Sequence, residues 1–178
     1  MKLLAIDSSG LVASAAIATE DSLLAEYTVN YKKTHSQTLL PMVDEIVSMV
    51  GIELKEIDAI AVSAGPGSFT GVRIGIATIK GLAFGSENVK CVPVSSLEAL
   101  CENVSDEQRG TVICACMDAR RNQVYTGIYE FSKKEVEFSR DADTENSGCY
   151  YCEYQINVIK EACAIPIEEI VQALNEKG

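Results

Sequence analysis

The chain has 178 residues, with 15 Lys+Arg against 26 Asp+Glu for a formal net charge of −11. Such acidity excludes a lone nucleic-acid binder, because neutralising phosphates takes clustered Lys and Arg. No run reaches the ~18 consecutive apolar residues of a membrane helix, and 47% hydrophobic residues with a mean hydropathy of +0.10 exclude a disordered chain. The length suits one domain or two small subdomains. With no Trp and 6% aromatics, Ile, Val, Leu and Ala must carry the packing.

The first third predicts strands and then a helix. Leu3 to Ile6 reads as a short buried strand, Asp7-Ser8-Ser9-Gly10 as a turn, and Val12 to Ala18 and Leu23 to Val29 as two more strands of an antiparallel meander. From His35 to Val50, apolar residues recur at three- and four-residue steps, which predicts a helix capped by Thr34 or Ser36 and ended by Gly51. The middle third alternates. Ile57 to Ser63 is a strand, Thr70 to Phe84 a helix with Ser68 or Thr70 as cap, Cys91 to Val94 a strand, and Ser95 or Ser96 caps a helix to about Glu102. Strand, helix, strand, helix predicts parallel pairing with right-handed crossovers. The whole is α/β, a mixed sheet with helices on its faces.

In the last third, Thr111 to Met117 and Gln123 to Phe131 read as strands, and Ser132 to Phe138 as a third. Ser139 to Gln155 shows no period. Pro166 fits the first turn of a helix that runs to Asn175.

Seven cysteines, an odd number, leave one outside any closed disulfide framework, and the N-terminal apolar run is too short for a signal peptide. Both point to reduced thiols in the cytoplasm. Cys114 and Cys116 share one strand face and read as buried core thiols. Cys149 and Cys152 form a CxxC; neither a zinc tetrad nor a redox pair is visible around it.

Three features could carry chemistry. Asp7-Ser8-Ser9 after the first strand could hold a phosphate or its Mg²⁺, or simply cap its own turn. The window Gly65 to Gly85 holds six of the chain's 12 glycines. It is no Walker A loop, since no Gly-Lys-Ser/Thr follows. Gly71, Gly75 and Gly81 inside a helix together cost about 3 kcal/mol against Ala. Either close packing on the chain's own sheet or a partner's helix must offset that. Asp118 and Arg120 form a turn cap or ion pair, or stand at the mouth of a cleft. His35 is the only His. No His-based metal cluster or Ser-His-Asp triad can be built on it.

Several segments match a known family in order: Met1-Lys2-Leu3-Leu4-Ala5-Ile6-Asp7-Ser8-Ser9, Thr34-His35-Ser36-Gln37, Gly65-Pro66-Gly67-Ser68-Phe69-Thr70-Gly71-Val72-Arg73-Ile74-Gly75, Val94-Ser95-Ser96-Leu97-Glu98, and Met117-Asp118-Ala119-Arg120. Over about Met1 to Phe131 the chain closely resembles the bacterial TsaB (YeaZ) family. The resemblance implies an actin-like (ASKHA, ribonuclease-H-like) fold of two subdomains, here about 1–100 and 101–178. It implies a cytoplasmic, non-catalytic subunit for threonylcarbamoyladenosine formation on tRNAs that read ANN codons. Such a subunit pairs with a TsaD-type transferase, is joined by a TsaE-type ATPase, self-associates when alone, and does not bind tRNA by itself. Pairing in the family uses the helices that correspond to about 35–50 and 70–84. That points to His35, Leu39, Met42, Val43 and Ile46 on one, and to Gly71, Arg73, Ile74, Gly75 and Thr78 on the other. On this reading Gly75→Leu weakens pairing and spares the fold.

The family's catalytic paralogue binds a metal through two His whose positions correspond to Ser96 and Leu100. Neither residue replaces an imidazole, so no metal and no cofactor is expected of this chain, with ATP or ADP at most at a shared interface. The C-terminal part of the family pattern is missing after the helix at Pro166–Asn175, so the second subdomain is expected to be incomplete. A small actin-like ATPase or kinase using Asp7 and Ser9 is the alternative. A glycoprotease-like peptidase lacks the ligands or nucleophile it needs.

Overall fold

A computed structural model describes residues 1–31, 34–86, 88–104, 112–134 and 153–175. Side chains at 132–134 and 153–155 are outside the description, as is the CxxC at Cys149 and Cys152.

Two sheets form. The first has five strands: β1 (Lys2–Asp7), β2 (Ala13–Thr19), β3 (Leu23–Val29), β4 (Ala59–Gly65) and β5 (Lys90–Ser95). Their spatial order is β3-β2-β1-β4-β5. β1, β2 and β3 pair antiparallel, and β4 and β5 add in parallel, as the spacing of the elements predicts. β4 is buried along Ala59 to Ser63, the continuous apolar run of a strand covered on both faces.

Helix α1 (His35–Val50) lays Leu39, Met42, Val43, Ile46 and Val47 inward, against β2 and β3. Gly51 ends it at φ 73°, a conformation other side chains resist. Helix α2 (Phe69–Phe84) starts at Ser68, whose hydroxyl accepts the Gly71 N–H at 3.3 Å. The two helices meet each other and close a core with Leu4, Ile6, Ile17, Ile60, Val62 and Ile79.

Helix α3 (Ser96–Glu102) touches β4 and β5 and also the second sheet. That sheet is the meander β6 (Val112–Arg120), β7 (Gln123–Lys134) and β8 (Glu153–Pro166), followed by helix α4 (Ile167–Asn175). Its core is Leu97, Cys101, Ala115, Tyr129 and Phe131.

Five features depart from the sequence expectations. Ser132 to Lys134 continue β7 rather than opening a new strand; 135–138 lie outside the description. The aperiodic stretch ends earlier than expected: Glu153–Pro166 is a 14-residue strand, with β7 supplying its partner. Pro166 closes that strand, and α4 begins one residue later. A 3₁₀ turn at Leu54–Glu56 was not foreseen. The expected boundary at residue 100 falls inside α3, where Leu97 and Cys101 belong to the second core.

Candidate partner interface

The Asp7-Ser8-Ser9 turn is filled from within the chain. Asp7 Oδ1 accepts the Ser9 N–H at 2.7 Å, Ser8 Oγ donates to the Gly71 carbonyl at 2.9 Å, and Ser68 N–H donates to the Ser9 carbonyl at 2.6 Å. Ser8 and Ser9 are buried. The start of α2 is pressed onto the turn. A Cβ at Gly71 would overlap the Ser8 carbonyl oxygen. At Gly67 it would lie 2.6 Å from Ser9 O, and at Gly75 2.7 Å from Ser8 Oγ and 3.1 Å from Val62 Cγ2. These glycines therefore serve close packing on the chain's own sheet. The Ser8 hydroxyl already has its partner, and neither serine opens to a phosphate.

Of the ten residues expected at the interface, six are buried within the chain. Gly71, Gly75, Leu39, Met42, Val43 and Ile46 are buried in the chain itself, so Gly75→Leu strikes the chain's own packing first. His35 is half-buried, with Nε2 2.9 Å from the Gly10 carbonyl. A carbonyl only accepts, so Nε2 carries the hydrogen and ties α1 to the first turn. Ile74 and Thr78 are half-buried: Ile74 packs on the core, and Thr78 Oγ1 donates back to the Ile74 carbonyl at 2.8 Å. Arg73 alone of the ten is exposed. Its guanidinium stacks 3.7 Å over the Phe69 ring, a cation–π contact.

What α2 does present is another face. Phe69, Thr70, Arg73, Ala77, Lys80, Gly81 and Phe84 are all exposed. At 3.6 residues per turn they fall within an arc of about 120°. Phe69 is 70% and Phe84 95% exposed, and nothing lies within 4 Å of a Cβ placed on Gly81. Away from this arc, a groove of about 420 Å³ is lined by Leu40, Pro41, Asp44, Val47 and Leu54 together with Leu82 of α2. Leu40 is 53% exposed. Sequence reasoning weighed Gly81 as a close-approach glycine, but passed over Leu40, Phe69 and Phe84 because it sought the apolar period. The available signal was the opposite: large apolar residues out of phase with the period that builds the core.

The paralogue's metal positions are equally changed. Ser96 opens α3, buried, with an Oγ that has no hydrogen-bond partner among the described residues. Leu100 is partly exposed. No group of three His, Cys, Asp or Glu among the described residues could hold a metal. The Asp118–Arg120 pair is a turn cap: Asp118 Oδ1 accepts the Arg120 backbone N–H at 2.7 Å. Arg120, Arg121 and Asn122 carry φ of 66°, 54° and 59°. Positive φ at both loop residues is what a two-residue hairpin requires. Cys116 is exposed and Cys114 half-buried, which corrects their reading as core thiols.

A family model described as TsaD, tRNA N6-adenosine threonylcarbamoyltransferase, matches residues 22–147. The chain belongs to this family. Within it, the match is to the TsaB (YeaZ) line. The tRNA threonylcarbamoyladenosine biosynthesis protein TsaB of Bacillus subtilis is 39% identical over 77% of this chain and 58% of its own length. The protein of the same name from Escherichia coli is 37% identical over 73% of this chain and 55% of its own. The solved structure of YeaZ from Pseudomonas aeruginosa superposes with a TM-score of 0.72 at 30% identity, over 93% of this chain and 67% of that one. The TsaB-like chain is therefore an actin-like α/β protein, and it spans a little over half the length of these curated relatives. Among its described residues no helix is long and apolar enough to cross a membrane.

Proposed function

We propose that this TsaB-like chain is a non-catalytic subunit in the formation of threonylcarbamoyladenosine on tRNAs that read ANN codons. It works in the cytoplasm, binding and activating a TsaD-type transferase subunit, with a TsaE-type ATPase joining the assembly and a second copy of the chain taking the partner's place when it is alone. Contact with tRNA falls to the partner, in keeping with the net charge of −11. The chain holds no cofactor of its own, and any nucleotide belongs to the shared interface.

One observation carries this reading. The outer arc of α2 exposes Phe69, Ala77, Gly81 and Phe84 beside Arg73 and Lys80, and Leu40 of α1 is exposed as well. Gly71 and Gly75 are accounted for by the chain's own packing, but Gly81 is not. An unexplained helical glycine costs about 1 kcal/mol against Ala, and a closely approaching partner helix offsets it. The relatives' names supply the process; Ser96 and Leu100, where the paralogue has His ligands, argue against catalysis.

The test uses Ala77→Arg and Phe84→Glu, which touch no packed group. Both should melt like the parent, while binding to a TsaD-type subunit falls at least ~10-fold, about 1.4 kcal/mol. In a tRNA modification assay the same variants should fail to stimulate the partner. Undiminished pairing by both would move the interface elsewhere. Full modification without the chain would overturn the subunit reading.

A further inference from the structure

β6 places Cys114 and Cys116 two residues apart on one face of the second sheet. Both thiols are free, and their sulfurs lie 3.6 Å apart. Thr126 of β7 stands opposite Cys116 and is fully buried. Its Oγ1 sits 3.3 Å from Cys114 Sγ and 3.4 Å from Cys116 Sγ. One hydroxyl thus bridges two sulfurs and can donate to whichever is the thiolate. Lys160 of β8 adds a positive field at Cys114, although burial outweighs it and pushes that thiol up. The two sulfurs differ in access: Cys116 is open to solvent, Cys114 half-covered.

We propose that Cys114 and Cys116 form a thiol–disulfide pair, a modification site whose oxidant is a low-molecular-weight disulfide, with Cys116 attacking and Cys114 resolving. Cys116 thiolate attacks one sulfur of the small disulfide; a mixed disulfide forms and the other half leaves as a thiolate. Cys114 then gives its proton to that thiolate or to water and attacks Cys116 Sγ. The Cys114–Cys116 bond forms and the second small thiolate leaves. The protein loses two electrons and two protons, and the small disulfide gains them as two thiols.

The reach is sufficient. Two strand residues separate Cα atoms by about 6.6 Å, at the upper end of the ~4.4–6.8 Å that a disulfide bridges. Closure therefore shortens β6 slightly, and a bond made at that limit is readily reduced again. The shortening is centred on Ala115, whose side chain is buried on the other face with Leu97 and Tyr129. Oxidation on the Cys114–Cys116 face is thus felt in the core on the other face. The other described cysteines are placed differently. Cys101 is buried and bonds the Leu97 carbonyl at 3.2 Å, Cys163 bonds the Thr126 carbonyl at 3.8 Å, and Cys91 stands on β5.

The experiment treats the full chain with excess oxidised glutathione and maps peptides by mass. The fragment carrying 112–120 should lose two hydrogens and retain no glutathione, and dithiothreitol should restore it. Cys114→Ser should trap glutathione on Cys116, while Cys163→Ser should leave the pair unchanged. A lasting glutathione adduct on Cys116 of the parent, with Cys114 still free, would overturn the proposal. So would a disulfide joining either residue to Cys163 or to any other cysteine.

Discussion

The two sheets hold themselves together by different means. The first is a five-stranded layer whose core joins both helices to β1, β2 and β4 in one aliphatic cluster, from Leu4 and Ile17 to Ile46 and Ile79. The second is a three-stranded meander whose core has two aromatics, Tyr129 and Phe131, beside Leu97, Cys101 and Ala115. Aliphatic side chains fill the first, onto which glycines let α2 sink; a large ring fills the second because Gly127 makes room for it. A Cβ at Gly127 would come 2.5 Å from the Tyr129 hydroxyl and 2.7 Å from its ring. The lesson is that glycine serves close approach in both regions, of a helix backbone in one and of an aromatic side chain in the other.

The sharpest way to break that comparison is within α2. Gly71→Ala drives a methyl into the Ser8 carbonyl. Backbone has no rotamer to yield, so we expect a loss of about 3 kcal/mol or more in urea unfolding. Gly81→Ala meets nothing within 4 Å and should gain about 0.5–1 kcal/mol from helix propensity, while weakening pairing with a TsaD-type subunit. If Gly71→Ala is tolerated as well as Gly81→Ala, the close-packing account of the buried glycines is wrong.

Core truncation separates the regions next. Ile46 and Leu97 are both fully buried. Cutting either to Ala costs about 2–5 kcal/mol. Ile46→Ala opens a cavity in a cluster braced by two helices and a sheet, which relaxes little, and should sit at the upper end. Leu97→Ala borders the smaller second core, which collapses more readily, and should sit lower. Chemical denaturation of both variants decides the order.

Much of the first region was legible in the sequence, because the period marks α1 and serine caps mark α2 and α3, although Thr34 starts α1 without the side-chain cap bond expected there. Leu39, Val43, Ile46 and Val47 set the inward face of α1, and Gly51 ends it where predicted. Ser68 and Ser95 accept N–H groups at the starts of α2 and α3. The strand β8 was missed: its identity depends on pairing with β7 across distant sequence, and local alternation is too weak to announce it. The candidate site was half legible. Helical spacing marked Gly71 and Gly75 as sharing a face, but spacing cannot say whether that face meets the chain's own turn or another molecule. Only the place of Ser8 decided it. Phe69 and Phe84 followed no inward period, so no pattern drew attention to them.

A pH titration probes the second region through Cys101. Burial pushes the Cys101 thiol up from its ordinary value near 9.0 to about 11, with Glu102 and Glu98 adding to the shift. The folded state therefore keeps this proton longer than the unfolded chain does. Its contribution is complete below about pH 9 and is lost as pH rises through about 11. Stability should fall across that window, and Cys101→Ala should flatten this part of the slope while lowering the plateau. A parent curve that is level between pH 9 and 11 would contradict the burial argument.

The smallest expected effect is also the one with an unusual sign. Ser96 is buried with a hydroxyl that finds no partner among the described residues. An unmade hydrogen bond inside a protein leaves the desolvation of that group uncompensated, at about 1–3 kcal/mol. Ser96→Ala removes the hydroxyl and leaves only a small void. We therefore expect it to be neutral or stabilising by about 1 kcal/mol in urea unfolding, where most core substitutions destabilise. Ser8→Ala is the control beside the first sheet: that serine is also buried, but its Oγ donates to the Gly71 carbonyl at 2.9 Å. It should lose stability. The opposite ranking would mean that Ser96 has a partner the fold supplies elsewhere, and that the second region is more tightly satisfied than the first.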